Sequence, residues 1–326
     1  MAKARAFGET VLLEELPSWV PSCESDGASP IRLLLDGVFE PEAVSDGSGW
    51  TLSELGDNRT VRFAVRSRAR VEDGQREWLL EFGDGGCRRA RFHFLPPEGC
   101  LRASWSGPID PVEVVDHALG IVLPWVARIR GKGLCLHASG VARDDRAVLI
   151  CGASGQGKST LASALLGRGA RLVCDDAALV EPGRVACSVH PGTPRCLLPD
   201  AASSPDDAAI LLHAKKAVYP ARPLLDGRPV PVAGIVFLGT RGARRELLVR
   251  LPYVQAMREL CAGIYPRGIG IPPELMASEF ALAAALAARV PCHRLERADD
   301  LSRLPSQCEL LEKLLAHESA SATAHE

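Results

Sequence analysis

Between residues 50 and 105 apolar and polar positions alternate in short runs, "TVRFAVRS", "EWLLEF", "RARFHFL" and "LRASW", separated by "EDGQ", "GDGG" and "PPEG". Alternation with period two, broken by glycine, proline and acidic turns, predicts a small antiparallel sheet. The period then changes. "DPVEVVDHALGIVLPWVARIRG" carries apolar residues at helical spacing, with Asp110 as N-cap and Pro111 in the first turn, and predicts a helix leading from a first unit into a second.

The second unit opens with "GLCLHASGVA", the polar turn "RDDR" and "AVLICG", a hairpin that runs straight into a glycine-rich stretch. "KSTLASALLGRG" predicts a helix closed by Gly167 and Gly169, and "ARLVCDDAALVE" a strand ending in two acids. "VAGIVFLG", "RELLVRL" and "VPCHRLE" predict further strands, "YVQAMRELCAGIY" and "PELMASEFALAAALAAR" helices. Helices and strands mix without strict alternation, which predicts an α/β sheet with antiparallel additions. The expected division is a β-rich N-terminal domain over residues 1–130, an α/β domain over 131–316, and a frayed polar tail, "HESASATAHE", over 317–326.

Composition narrows the class. A chain of 326 residues with 47% hydrophobic content buries a real core. Its formal net charge of -2 gives no bulk attraction to nucleic acid or to an anionic membrane surface. Neither is expected as a partner. The 11 cysteines are odd in number and contain no C-x-x-C pair, which reads as reduced, mostly buried thiols in a cytoplasmic protein. No run approaches the ~18 apolar residues of a membrane span, and the opening "MAKARAFGETVLLEELPSWV" has acids where a signal peptide needs its apolar stretch.

The chemistry concentrates in "CGASGQGKST", residues 151–160. Gly152, Gly157, Lys158 and Ser159 match G-x-x-x-x-G-K-[ST] in the strand-loop-helix context that this motif requires. Gly152, Gly155 and Gly157, with Ala153, Ser154 and Gln156 between them, let successive backbone N–H groups converge on phosphate oxygens. The helix that continues through Lys158, Ser159 and Thr160 points its positive end at the same place. Lys158 suits β- and γ-phosphates, and the Ser159 hydroxyl suits Mg²⁺. The stretch therefore predicts a site for a nucleoside triphosphate with Mg²⁺.

Two carboxylates follow at the end of "RLVCDD". If Asp176 serves Mg²⁺, Asp175 is left to accept a proton. Adjacent strand residues point to opposite faces, so the two differ in role only if the chain bends there. The alternative is that Asp176 caps the next turn and only Asp175 takes part. His137, on the hairpin before the loop, fits a hydrogen-bonded core histidine as well as a functional one. Arg195, in the rigid "VHPGTPRCLLPD", either aims at phosphate or acceptor or is a solvated turn residue. Lys215 and Lys216 read as a surface pair, "RGARR" at 241–245 as a solvated hairpin tip, and His190, His213 and His293 have no metal-ligand spacing.

"LHASGVA" followed by "GASGQGKSTLASALLGRGARLVCDD" resembles the catalytic core of HPr kinase/phosphorylase and its relatives, which share the phosphoenolpyruvate carboxykinase P-loop fold. The resemblance covers about 45 residues, 137–181. It implies an ATP-dependent kinase acting on serine, with Lys158 and Ser159 as the phosphate and Mg²⁺ residues. It also implies Asp175 as general base, Asp176 as its acidic neighbour serving the metal, and His137 as support for the base. The family's "EIRG" glutamate and "PGRN" signature have no counterpart, while "PVAGIVFLG" and "HRLERADDLSRLP" look like the HPr-kinase-related serine kinase branch, some of whose members modify serine in precursor peptides. The implied partner is a protein or peptide carrying a serine; the first ~110 residues, which the resemblance does not reach, are the candidate for choosing it, and a homo-oligomer is allowed. The rivals are a nucleotide-binding regulatory protein that transfers nothing, and an enzyme with a small-molecule acceptor such as free serine.

Overall fold

The computed structural model describes residues 2–14, 30–38, 51–57, 62–69, 76–83, 89–96, 98–193, 195–199, 211–213, 216–220, 228–265 and 273–316. The fold is mixed α/β, built on two many-stranded sheets and one small one. The first sheet contains β1 (Ala2–Ala6), β2 (Glu9–Leu13), β3 (Ile31–Val38), β4 (Thr51–Asp57), β5 (Arg62–Ala69), β6 (Arg76–Gly83), β7 (Arg89–Leu95) and β8 (Cys100–Ser106). Its order is β1-β2-β3-β8-β7-β6-β5-β4. The antiparallel meander from β4 to β8 is the sheet that alternation predicts. β1 to β3 extend it, and β3 runs parallel to both β2 and β8.

The alternation has a direct cause in β7, where Ala90, Phe92 and Phe94 are buried while Arg91 and His93 face outward, Arg91 to Glu81 at 2.8 Å and His93 to Glu77 at 2.7 Å. The inner face is covered by α1 (Pro111–His117) and α2 (Leu123–Ile129), joined by one π-helical stretch, Ala118–Val122. Asp110 caps α1, its carboxylate accepting the Val112 N–H at 2.8 Å, and Pro111 follows at the first position. Pro124 has no N–H for the Gly120 carbonyl, which accounts for the local widening of the helix before it. Trp125 packs edge-on against Trp78 at 5.3 Å.

The second sheet comprises β9 (Leu134–Leu136), β10 (Ala138–Arg143), β11 (Arg146–Cys151), β12 (Arg171–Cys174), β13 (Ala178–Pro182), β14 (Cys187–His190), β18 (Val230–Arg241), β19 (Leu247–Arg250) and β20 (Cys292–Arg297). A three-stranded sheet, β15 (Arg195–Pro199), β16 (Leu211–His213) and β17 (Lys216–Pro220), is inserted between β14 and β18. "VHPGTPRCLLPD" is thus largely strand, not a loop. Helices α3 (Lys158–Leu166) and α6 (Leu304–Ala316) cover one face, and α4 (Tyr253–Ala262) and α5 (Pro273–Arg289) the other. "AVLIC" is continuously apolar because both faces are covered: Val148 and Ile150 pack with Leu161, Leu165 and Leu311, while Ala147, Leu149 and Cys151 pack with Ala256, Leu260 and Leu286. α6, at "LPSQCELLEKLLA", is a helix that the sequence pattern does not single out.

"RDDR" makes the tight turn of the β10–β11 hairpin, with Arg143 opposite Arg146 and both Asp144 and Asp145 at positive φ, 50° and 57°. That is the turn whose twist matches its strands. Eight cysteines, Cys196 not among them, are free, seven of them buried, and burial pushes the Cys135 and Cys151 thiols up to about 12. Among the described residues no helix is long and apolar enough to cross a membrane. Lys215 and the 317–326 segment lie outside the described residues.

Candidate functional site

β11 is parallel to β18, and β18 to β20, so the carboxyl ends of three neighbouring strands meet at one edge of the sheet. In open α/β sheets that edge is where ligands sit. β10 and β12 flank them so that the start of β10, after His137, and the end of β12, before Asp175, lie at the same edge. Everything between Gly152 and Asp176 that the sequence singles out is therefore brought together by strand order.

The glycine-rich loop, residues 152–157, leaves β11 and enters α3. Gly155 and Gly157 have φ of +82° and +93°, and Gly157 precedes the first helical residue. The Gln156 side chain folds into the loop, its Oε1 accepting the Ala153 N–H at 2.9 Å. A Cβ on Gly152 would lie 2.4 Å from that oxygen, so a side chain there would push the Gln156 amide out of the loop. Ser154, Gly155 and Gln156 form the exposed to half-buried crest, and Lys158 is 6% exposed. The Lys158 ammonium donates to the carbonyls of Gly152 at 3.0 Å and Ala153 at 3.3 Å, and reaches His137 Nε2 at 2.8 Å.

An ammonium can only donate, so His137 Nε2 accepts and its proton sits on Nδ1. Nδ1 in turn donates to the Asp176 carbonyl at 2.9 Å and lies 3.4 Å from Asp176 Oδ1. The imidazole is thereby held in one orientation between the loop lysine and Asp176. Tyr265 closes the other side. Its ring stacks on His137 at 5.3 Å, with 13° between planes, and its hydroxyl donates to Asp176 Oδ2 at 3.1 Å. The stretch Gly263–Tyr265 is fixed there by backbone hydrogen bonds from His137 to Gly263 (2.7 Å) and from Tyr265 to Cys135 (2.9 Å). Burial, reinforced by Asp176, pushes the Tyr265 hydroxyl well above its ordinary range, so it remains a donor.

The chain bends between the two acids. Asp176 has φ +74°, uncommon for a residue with a side chain, and β12 ends just before it. Asp175, 3% exposed, accepts from the Ser139 hydroxyl in a short contact and from the Ser159 hydroxyl at 3.0 Å. The two carboxylates have separate environments: Asp175 stands with the loop serine, Asp176 with His137 and Tyr265. The family resemblance pairs them the other way round, with His137 beside Asp175.

A recess of about 210 Å³ opens on the Gly152 side of the loop, lined by His137, Gly152, Ala153, Phe237 and Glu259. A smaller one, about 80 Å³, opens on the Gly157 side. No protein-family model matches the chain, and no curated protein matches it in sequence. One solved structure, the Hpr(Ser) kinase/phosphatase from Coxiella burnetii, is similar at 15% identity and a TM-score of 0.27, over 55% of this chain and 94% of that one.

Arg195 stands at neither phosphate nor solvent. It is 3% exposed, with Nε 2.6 Å from Asp116 Oδ1, an ion-pair distance although the N–H does not point along a hydrogen-bond line. His190 lies 2.9 Å from Glu181, and among the described residues no three His, Cys, Asp or Glu side chains form a metal cluster. Ser139, Tyr265, Glu259 and Arg297 belong to the neighbourhood and escape sequence reading. Ser139 is the only one with a local signal, two residues after His137 in "LHASG".

Proposed function

We propose that the chain is a Mg·ATP-dependent kinase that transfers the γ-phosphoryl group to a hydroxyl, a serine of a protein or peptide. The observation that carries this reading is the convergence of loop, Lys158, Asp175, His137 and Asp176 at one sheet edge. Three observations support a fit to the nucleotide. The loop amide of Ala153 already receives an oxygen, that of Gln156. Lys158 is buried at the loop mouth, and a hydroxyl and a carboxylate, Ser159 and Asp175, stand 3.0 Å apart as a hard oxygen pair suited to Mg²⁺. Such an ion takes only one or two protein carboxylates and completes its shell from phosphates and water, so a cluster of three is not required.

Bound Mg·ATP supplies the phosphoryl group and neutralises its charge. The chain's own residues do the rest. The loop amides and α3 hold the phosphates, and Lys158 compensates charge on the transferred group. Asp176 accepts the proton of the acceptor hydroxyl, and His137 and Tyr265 hold its carboxylate in place. The acceptor class follows the sequence resemblance, and residues 1–130, which precede the loop, both acids and His137, are assigned to its recognition.

Calorimetric titration with Mg·ATP and transfer of label from γ-labelled ATP test the proposal. Wild type is expected to bind and to label a hydroxyl-bearing acceptor. Lys158→Ala loses charge-assisted contacts of about 1.5–3 kcal/mol, a roughly tenfold or greater loss of affinity. Equal affinity in both proteins would remove the loop from the function, and binding with no transfer to any protein or peptide would leave a nucleotide-binding regulator. Tyr265→Phe keeps the ring stack and deletes one hydrogen bond to a charged carboxylate. Transfer should fall about tenfold with ATP affinity unchanged; a loss of affinity instead would place Tyr265 in nucleotide binding.

A further inference from the structure

Arg297 ends β20 beside the loop and is 5% exposed. Its Nε and Nη2 are buried and make no hydrogen bond among the described residues. A guanidinium carries five donors and keeps its charge, so burying it without acceptors is costly unless something else supplies them. Burial and the neighbouring Arg241 both press its ionisation downward, with Asp299 opposing. The side chain lines the recess of about 80 Å³ formed by Gly157, Thr160, Arg241, Arg297, Asp299 and Asp300. A single water needs only ~10–15 Å³ by this measure, so the space admits a polyatomic anion.

The recess meets the N-terminus of α3. A Cβ built on Gly157 would lie 3.7 Å from both Arg297 Nη1 and Arg241 Nη2, so the two guanidiniums flank the last loop residue. Two carboxylates share the recess, and both are engaged. Asp299 pairs with Arg241 at 3.1 Å, and Asp300 accepts from the Ser302 N–H at 2.8 Å and hydroxyl at 2.6 Å. Arg297 thus remains the buried cation with donors to spare.

We propose that Arg297, assisted by Arg241, is an oxyanion-binding subsite that takes the phosphate nearest the nucleoside. The assignment to a particular phosphate rests on the kinase reading above. Lys158 Nζ, the group that meets the terminal phosphates, sits at Gly152, Ala153 and His137. A triphosphate that starts there and follows the loop must run toward Gly157 and Thr160, into the recess of Arg297. The terminal phosphate and the nucleoside end then lie on opposite sides of the loop, each with one buried cation.

Calorimetry with Mg·ATP on wild type, Arg297→Met and Arg297→Lys, together with thermal unfolding in the presence of inorganic pyrophosphate, tests this. Arg297→Met should bind Mg·ATP at least tenfold more weakly, Arg297→Lys within a few-fold of wild type. Pyrophosphate should raise the unfolding midpoint of wild type more than that of Arg297→Met. The apo midpoint of Arg297→Met should equal or exceed that of wild type, because a buried charge lacking acceptors is removed; a purely structural arginine would give a lower midpoint and unaltered affinity. Equal Mg·ATP affinity and equal pyrophosphate response in wild type and Arg297→Met overturn the subsite. If wild type binds no Mg·ATP the kinase reading fails instead, and the pyrophosphate comparison still decides whether Arg297 holds an anion.

Discussion

Asp176→Asn is expected to slow phosphoryl transfer by about 10²–10⁴ while ATP affinity stays within a few-fold. Asparagine is nearly isosteric, and of the residues with side chains it is among those that best tolerate a φ of +74°. The bend therefore survives, the Tyr265 hydroxyl still has an oxygen to meet, and only the capacity to take a proton is lost. Asp175→Asn should behave differently. It stands with Ser159, so its loss should weaken the Mg²⁺-dependent step and be partly recovered at higher Mg²⁺, whereas Asp176→Asn should not recover. Label transfer across a Mg²⁺ series for both variants is the measurement. Near-normal transfer by Asp176→Asn would sink the base assignment. Recovery of Asp176→Asn, with Asp175→Asn refractory, would restore the division of roles that the sequence pattern suggests.

The second large effect is on stability. Gly120→Ala should destabilise the protein by about 2–4 kcal/mol. A Cβ at Gly120 would lie 2.0 Å from Arg195 Nη2 and 3.1 Å from Cζ. An exposed arginine would swing away at little cost, but this one is 3% exposed and set against Asp116, itself 2% exposed. Separating two buried charges costs about 3–5 kcal/mol. The better helix propensity of alanine over glycine returns about 1 kcal/mol, which leaves the estimate given. Denaturant unfolding reads it directly. In an Arg195→Met background the clash is gone, and Gly120→Ala should then be neutral or mildly stabilising, so the two changes are strongly non-additive. Additive effects would show that Arg195 does not explain the glycine.

The separation of Asp175 from Asp176 shows where sequence reading reaches its limit. "CDD" places two acids at a strand end, and a bend is the condition for unlike roles. Whether the bend occurs depends on Asp176 taking a left-handed conformation, which no neighbouring residue announces. The partner of each carboxylate depends on residues that lie far away in sequence. Ser159 reaches Asp175 from α3, and Tyr265 reaches Asp176 from the far end of α4, 89 positions along the chain.

Local signals fixed what local physics controls. The loop and its helix follow from glycines that allow positive φ and from "AVLIC", whose unbroken apolarity marks a strand covered on both faces. "RDDR" specifies its hairpin turn, Asp110 and Pro111 the start of α1, and the alternation of "RARFHFL" the two faces of β7. Tertiary structure alone decided the rest, because those features are pairings between distant segments. β3 lies parallel to β2 and β8, and no local pattern encodes a neighbour 66 residues away, such as the one Asp36 finds in Arg102. Arg195 reads locally as an arginine for phosphate or acceptor, or as a solvated turn residue, yet the helix widening before Pro124 and the missing side chain at Gly120 make room to bury it. Arg297 reads as one more strand residue. It becomes a buried cation beside the loop only because β11, β18 and β20 run parallel and end at the same edge.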